Sequence, residues 1–191
     1  MKRKLLIISV VLAFTAPVVI AILMHSQWIT WRPDITRNHG TLIQPVIALP
    51  EFDVSSATGE PVARADLLDQ WQLVHLRHAP CDEQCLEAAY WLRQVRRAQD
   101  RHQPEVAMLV ISTADLELSE IEAIREVSDR IRIVDGSAAE QLAGVFPGSE
   151  SVASSYILDP MANIILRYEA DSDPNDMRRD LDRLLTWTQR D

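Results

Sequence analysis

Apolar residues recur along this chain in three spacings, and each predicts a different kind of element. From Leu5 to Met24 twenty consecutive residues carry no charge. At about 1.5 Å of rise per residue, a helix of that length spans roughly 30 Å, the hydrocarbon thickness of a bilayer. Nearly continuous apolar runs of strand length follow at Trp71–Arg77 (WQLVHLR), residues 106–111 (VAMLVI) and residues 131–134 (IRIV). Such runs suit strands covered on both faces. Residues 49–54 and a return strand from Pro61-Val62, joined by the turn Ala57-Thr58-Gly59-Glu60, predict a hairpin. Residues 156–158 and 164–168 predict a second hairpin around Asp159-Pro160-Met161-Ala162-Asn163. Helical spacing begins at Asp82 and continues to about Arg101, with Leu86, Ala89, Tyr90, Leu92 and Val95 on its apolar stripe. Ser119 with Glu122, and Ser137 with Glu140, have capping-box spacing and predict helices reaching Val127 and the Phe146-Pro147-Gly148 stop. Asp173-Pro174 opens a last amphipathic helix carrying Met177, Leu181, Leu184, Leu185 and Trp187. The order is β-hairpin, β-α-β-α-β-α, β-hairpin, α, which predicts an α/β fold: a mixed sheet flanked by helices, with an antiparallel edge.

Charge changes the picture at the N-terminus first. Of the 19 basic residues, three are Lys2, Arg3 and Lys4, immediately before the apolar run, while 28 residues are acidic. By the positive-inside rule this basic tip stays cytoplasmic and the rest of the chain lies across the membrane. Trp28 and Trp31 follow where an interfacial aromatic belt would sit. A cleaved signal peptide is the competing reading, but its apolar region is shorter and Met24-His25-Ser26-Gln27 is a poor cleavage site. The expected organisation is therefore residues 1–25 as cytoplasmic tip and transmembrane anchor, 26–45 as a polar tether, and 46–191 as one folded domain. In a bacterial cell that is a single-pass inner-membrane protein with a periplasmic domain, where a disulfide persists. The acidic balance of that domain argues against nucleic acid as a partner, since phosphate binding needs a basic face.

Only two cysteines are present, too few for a disulfide framework or a four-cysteine zinc site. They stand as Cys81-Asp82-Glu83-Gln84-Cys85, where the Trp71–Arg77 strand passes into the long helix. A helix N-terminus favours the thiolate, whereas Asp82 and Glu83 oppose it, so the expected net effect is modest. Cys85 follows Cys81 by about one helical turn, so both sulfurs can face one side. That spacing suits a two-thiolate soft-metal site, and a disulfide if the first turn adjusts. His78, three residues before Cys81, is a candidate third ligand. His75, mid-strand and alternating to the other face, reads as a buried, hydrogen-bonded core histidine.

Pro50-Glu51-Phe52, Gly59-Glu60-Pro61-Val62 and Trp71-Gln72-Leu73-Val74 leading into Cys81 resemble the thioredoxin-fold proteins. Within them the Cys-x-x-x-Cys spacing, Val110-Ile111-Ser112 and Tyr156-Ile157-Leu158-Asp159-Pro160 resemble the Sco/SenC family of membrane-anchored cytochrome c oxidase assembly factors. The resemblance covers roughly residues 46–190 and implies a thioredoxin-like domain. It also implies Cu(I) as the metal and the copper-site subunit of cytochrome c oxidase, or other assembly factors, as partners. Members of that family bind copper through the two cysteines and a distal histidine, which here would fall near Ser151. No histidine occurs after His102, so only Cys81 and Cys85 carry over. The expected function is a Sco-like accessory factor using Cys81 and Cys85 in copper delivery or in reducing a copper-site subunit. A general periplasmic thiol–disulfide oxidoreductase and a non-catalytic binding module are the alternatives.

Overall fold

The computed structural model describes residue 4 and residues 11–19, 38–148 and 150–188, and the chain divides into two compact units, Met1–Thr36 and Arg37–Asp191. In the first unit residues 11–19 are helical, with Val11, Leu12, Phe14, Val18 and Val19 exposed. The remainder of the expected membrane span, residues 5–10 and 20–24, lies outside the described residues. Among the described residues no helix is long and apolar enough to cross a membrane.

The second unit is built on a six-stranded sheet. Its strands are β1 (Thr41–Ala48), β4 (Trp71–Arg77), β5 (Val106–Ser112), β6 (Ile131–Asp135), β7 (Ala153–Leu158) and β8 (Asn163–Glu169), in the spatial order β1-β8-β7-β4-β5-β6. β2 (Asp53–Ser55) and β3 (Pro61–Ala63) form the separate antiparallel hairpin that the turn at Gly59 predicts. β4, β5 and β6 run parallel, whereas β7, β8 and β1 are antiparallel. Every residue of β4 is buried, because strands lie on both sides of it and helices cover both faces.

Alternate side chains of the sheet feed two cores. On one face Leu73, Met108, Val110, Ile133 and Ile157 meet α1 (Glu83–Arg97), α2 (Leu118–Val127) and α4 (Pro174–Thr188). Val74, Leu76, Leu109, Ile111 and Tyr156 meet α3 (Gly136–Ala143) on the other. This period-two division is what a strand's geometry imposes on an apolar run buried from both sides.

Three departures from the sequence pattern have local causes. β1 occupies residues 41–48, so a strand begins inside the segment read as tether. Pro45 falls between Leu42 and Ile47, where the pairing with β8 shifts register, and proline's missing N–H is tolerated at such a bulge on an edge strand. Helix α1 stops at Arg97 instead of Arg101, and a 3₁₀ turn with Pro104 inside it fills Asp100–Glu105. Both capping-box serines are displaced by two residues: the N-caps are Glu117 for α2 and Asp135 for α3.

In α3 the cause is Gly136, whose φ of +59° turns β6 directly into the helix. A Cβ there would lie 2.0 Å from Asp115 Oδ1. Gly136→Ala should therefore destabilise the chain by about 1–2 kcal/mol, read as a lower urea midpoint, from the left-handed backbone and the displaced carboxylate together.

Candidate functional site

The two cysteines are joined in a disulfide, with Cα atoms 5.2 Å apart. Strand β4 ends at Arg77, Pro80 interrupts the chain, and Asp82 caps α1 by accepting the Cys85 N–H at 3.1 Å. That cap sets Cys85 in the first turn of α1 and Cys81 just before it, and the helix is itself anchored, through Ala89, Leu92 and Val95, on the sheet. Cys85 is buried at 1% exposure while Cys81 is only partly buried, so the pair is asymmetric and Cys81 is the sulfur a partner can reach.

The electrostatics of the junction come from four charged side chains. Arg77 is buried at the end of β4, where its Nε donates to the Pro80 carbonyl at 2.8 Å and its guanidinium pairs with Asp82. The Cys85 amide, and after it Arg77, hold the Asp82 carboxyl below the usual carboxylate range. Glu83 adds a second acid in the first turn. Glu120, at the third position of α2, accepts the Cys81 N–H at 2.7 Å on one oxygen and the Glu117 N–H at 2.7 Å on the other. Sequence reading missed Glu120 because it stands 39 positions from Cys81 in sequence and lies inside a helix start read from Ser119 with Glu122. Arg77, which the sequence marks only as the end of the apolar run, is partnered by Asp82.

His78, the candidate third ligand, is exposed and shares a hydrogen bond of 3.2 Å between its Nδ1 and Thr113 Oγ1. Its backbone N–H donates to the Val152 carbonyl at 2.9 Å, which places it beside the loop where the distal histidine was sought. Ser151, standing at that position, accepts from Arg167 Nη2 at 3.0 Å. Among the described residues no group of three or more His, Cys, Asp or Glu side chains is gathered as a metal site.

His75 is the core histidine the alternation predicts. It is 4% exposed, its Nδ1 lies 3.0 Å from Ser155 Oγ, and its buried Nε2 has no hydrogen-bond partner among the described residues. Burial, and after it the Arg77 charge, push its pKa down to about 4. The ring contributes, with Arg77, Gln84, Trp91 and Tyr168, to the wall of a cavity of about 560 Å³.

Comparison with known proteins agrees with this fold. Apo Sco1 from Thermus thermophilus superposes with a TM-score of 0.60 at 14% identity, over 81% of this chain and 99% of that one. Copper-bound ScoI from Arabidopsis thaliana gives a TM-score of 0.59 at 14% identity, over 72% and 98%. A thioredoxin-family thiol:disulfide interchange protein from Chlorobium tepidum gives 0.57 at 17% identity, over 76% and 99%. At these identities the likeness establishes the fold, and it places Sco/SenC proteins among the structural neighbours that the sequence motifs resemble. No curated protein matches the chain by sequence. Residues 71–188, more than half of the chain and the whole stretch from β4 to the end of α4, match a described family, and the chain belongs to it: the transmembrane-like, thioredoxin-like, C-terminal domain family.

Proposed function

We propose that this protein is a membrane-anchored, Sco-like factor that exchanges the Cys81–Cys85 pair with a cysteine pair on a partner protein. The partner on this reading is the copper-site subunit of a cytochrome c oxidase, met at the periplasmic face of a bacterial inner membrane. The observation that carries the proposal is the asymmetric disulfide at a strand-to-helix junction, one sulfur accessible and the other buried. The reduced pair acts in two displacements. The Cys81 thiolate attacks one sulfur of the partner's disulfide and expels the other as a thiolate. Cys85, losing its proton, then attacks the Cys81 sulfur, restores the intramolecular disulfide and releases the partner's second sulfur. Two electrons pass to the partner, whose two sulfurs take up protons, and an external dithiol reductant must regenerate the pair.

Delivery of Cu(I) as cargo is the second reading, favoured by copper-bound Sco proteins among the fold neighbours. Two reduced sulfurs one turn apart are soft ligands suited to Cu(I), and His78, three residues before Cys81, is a candidate for a third. The full-length chain in mild detergent separates the readings. Under anaerobic conditions we expect it, once reduced, to reduce glutathione disulfide, with Cys81→Ser inactive and Cys85→Ser arrested as a mixed disulfide. Tight one-to-one Cu(I) binding against a competing chelator, lost in both variants, with no disulfide reduction, would replace exchange by delivery. Neither activity would leave a binding module.

A further inference from the structure

The cavity that His75 and Arg77 help to line takes no part in the exchange chemistry itself, yet it begins beside the cysteine pair. Its volume of about 560 Å³ is that of a site able to seat a small ligand or anchoring side chains. One wall is a single face of α1. Gln84, Ala88, Trp91 and Val95 recur there at helical spacing, and Gln84 directly precedes Cys85. At about 1.5 Å per residue that wall runs roughly 16 Å along the helix, the length of about five residues of extended chain. Half-buried Ala88 and Trp91 offer apolar surface along it, with buried Leu92 behind them and Met177 contributed by α4.

The exposed charge around the cavity is of one sign. Glu87, Glu169, Asp171 and Asp173 all line it and all are exposed. Glu169 lies 3.9 Å from Arg167, whereas Glu87, Asp171 and Asp173 make no ion pair among the described residues. The one cation among the lining residues, Arg77, is buried and already held by Asp82 and the Pro80 carbonyl. Within the wall His75 keeps a buried Nε2 that has no hydrogen-bond partner among the described residues, and a polar atom left so is costly. An apolar hollow with an acidic rim is complementary to an apolar group flanked by cations.

We infer that this cavity is the docking site for the exchange partner, and that it takes an extended segment of that protein with apolar side chains between basic ones. The apolar side chains seat against Trp91 and Leu92, while the flanking Lys or Arg side chains pair with Glu87 and Asp171. Because the wall starts in the first turn of α1, a segment held there lies at the end of the helix that carries the cysteines. The formal charge of −9 on the whole chain adds long-range attraction for a basic partner. The inference deepens the exchange reading and rests on it, naming the kind of segment the partner presents.

The test uses the oxidised full-length chain in mild detergent and a dye-labelled peptide without cysteine, Gly-Arg-Leu-Phe-Arg-Gly, followed by fluorescence anisotropy at low salt. One-to-one binding tighter than about 100 μM is expected. Joint replacement Glu87→Lys and Asp171→Lys should weaken it about tenfold or more. Ala88→Leu, which fills the cavity at unchanged charge, should weaken it by about as much. The charge variant alters only exposed side chains, so it reports even if Ala88→Leu proves unstable. Affinities of both variants within about twofold of the parent, or no binding at about 1 mM peptide, would overturn the proposal. Equal binding of a peptide with serine in place of Leu and Phe would reduce the site to its charge and overturn it as well. Phenethylamine binding as tightly as the peptide would give the cavity to a small amine instead. Failure of the exchange reading appears separately, as an absence of glutathione disulfide reduction by the reduced, unsubstituted protein, whatever the peptide does.

Discussion

Replacing Asp180 with alanine should destabilise the folded domain by about 3 kcal/mol, one of the largest losses available to a substitution outside the core. Asp180 lies on α4 with its side chain fully buried. One of its oxygens, Oδ2, accepts three hydrogen bonds, from the His39 N–H at 2.8 Å, the Gly40 N–H at 2.9 Å and the Tyr168 hydroxyl at 2.9 Å. The other lies 3.5 Å from Arg183 Nη1. Removing the carboxylate leaves buried donors without an acceptor, and the cost is their desolvation more than the bonds themselves. Gly40 comes so close to the Tyr168 ring that a Cβ would lie 2.6 Å from it, so the backbone cannot retreat to find water. Burial, and after it the Asp180 charge, push the Tyr168 phenol well above its ordinary range, so it stays a donor at any working pH. Tyr168→Phe should cost about 1 kcal/mol alone and add little on top of Asp180→Ala, because the two share one bond. Urea unfolding of the full chain, followed by tryptophan fluorescence, gives both values. A loss for Asp180→Ala below 1 kcal/mol would mean that this cluster does not fasten the start of β1 to α4.

That same cluster shows where sequence reading stops. The apolar runs at Trp71–Arg77 and in β5 and β6 announced buried strands, since a strand covered on both faces needs no other signal. The position of Cys81 and Cys85 between a strand and a helix was legible for the same reason: Pro80 ends one pattern and the apolar stripe from Leu86 begins the next. β1 was not legible. Its residues bury only Ile43 well, and its order comes from pairing with β8 and from Asp180, which lies some 140 positions away in sequence. The displaced helix starts have a similar origin. Glu117 with Glu120 offers much the same spacing as Ser119 with Glu122, and local propensity favours the serine. What distinguishes them is that Glu120 also meets the Cys81 N–H, a tertiary contact that no spacing rule contains. His75 stands between these cases. Alternation along β4 placed it on a buried face, but the identity of its partner, Ser155, followed only from the pairing of β4 with β7.

His75 should make the domain acid-sensitive in a window of its own. In the unfolded chain a histidine titrates near 6.5, whereas in the folded state burial and the Arg77 charge lower this one to about 4. The folded state therefore binds fewer protons than the unfolded state between those values. Stability contributed by the neutral ring is complete above pH 6.5 and is lost as the pH falls toward 4. A displacement of that size corresponds to about 3 kcal/mol over the window, with most of the change below pH 6. The carboxylates whose folded values are lowered, Asp82 through the Cys85 amide and Asp173 through Asn175, add their own losses only below about pH 4, so the two regimes separate. Unfolding free energies measured at pH 7, 5.5 and 4.5 on the full chain and on His75→Gln give the comparison. Glutamine cannot take up a proton and keeps a polar group for Ser155, so its stability should be lower at pH 7 but much flatter down to pH 4.5. Parallel curves for the two proteins would show that the buried ring accepts a proton without penalty.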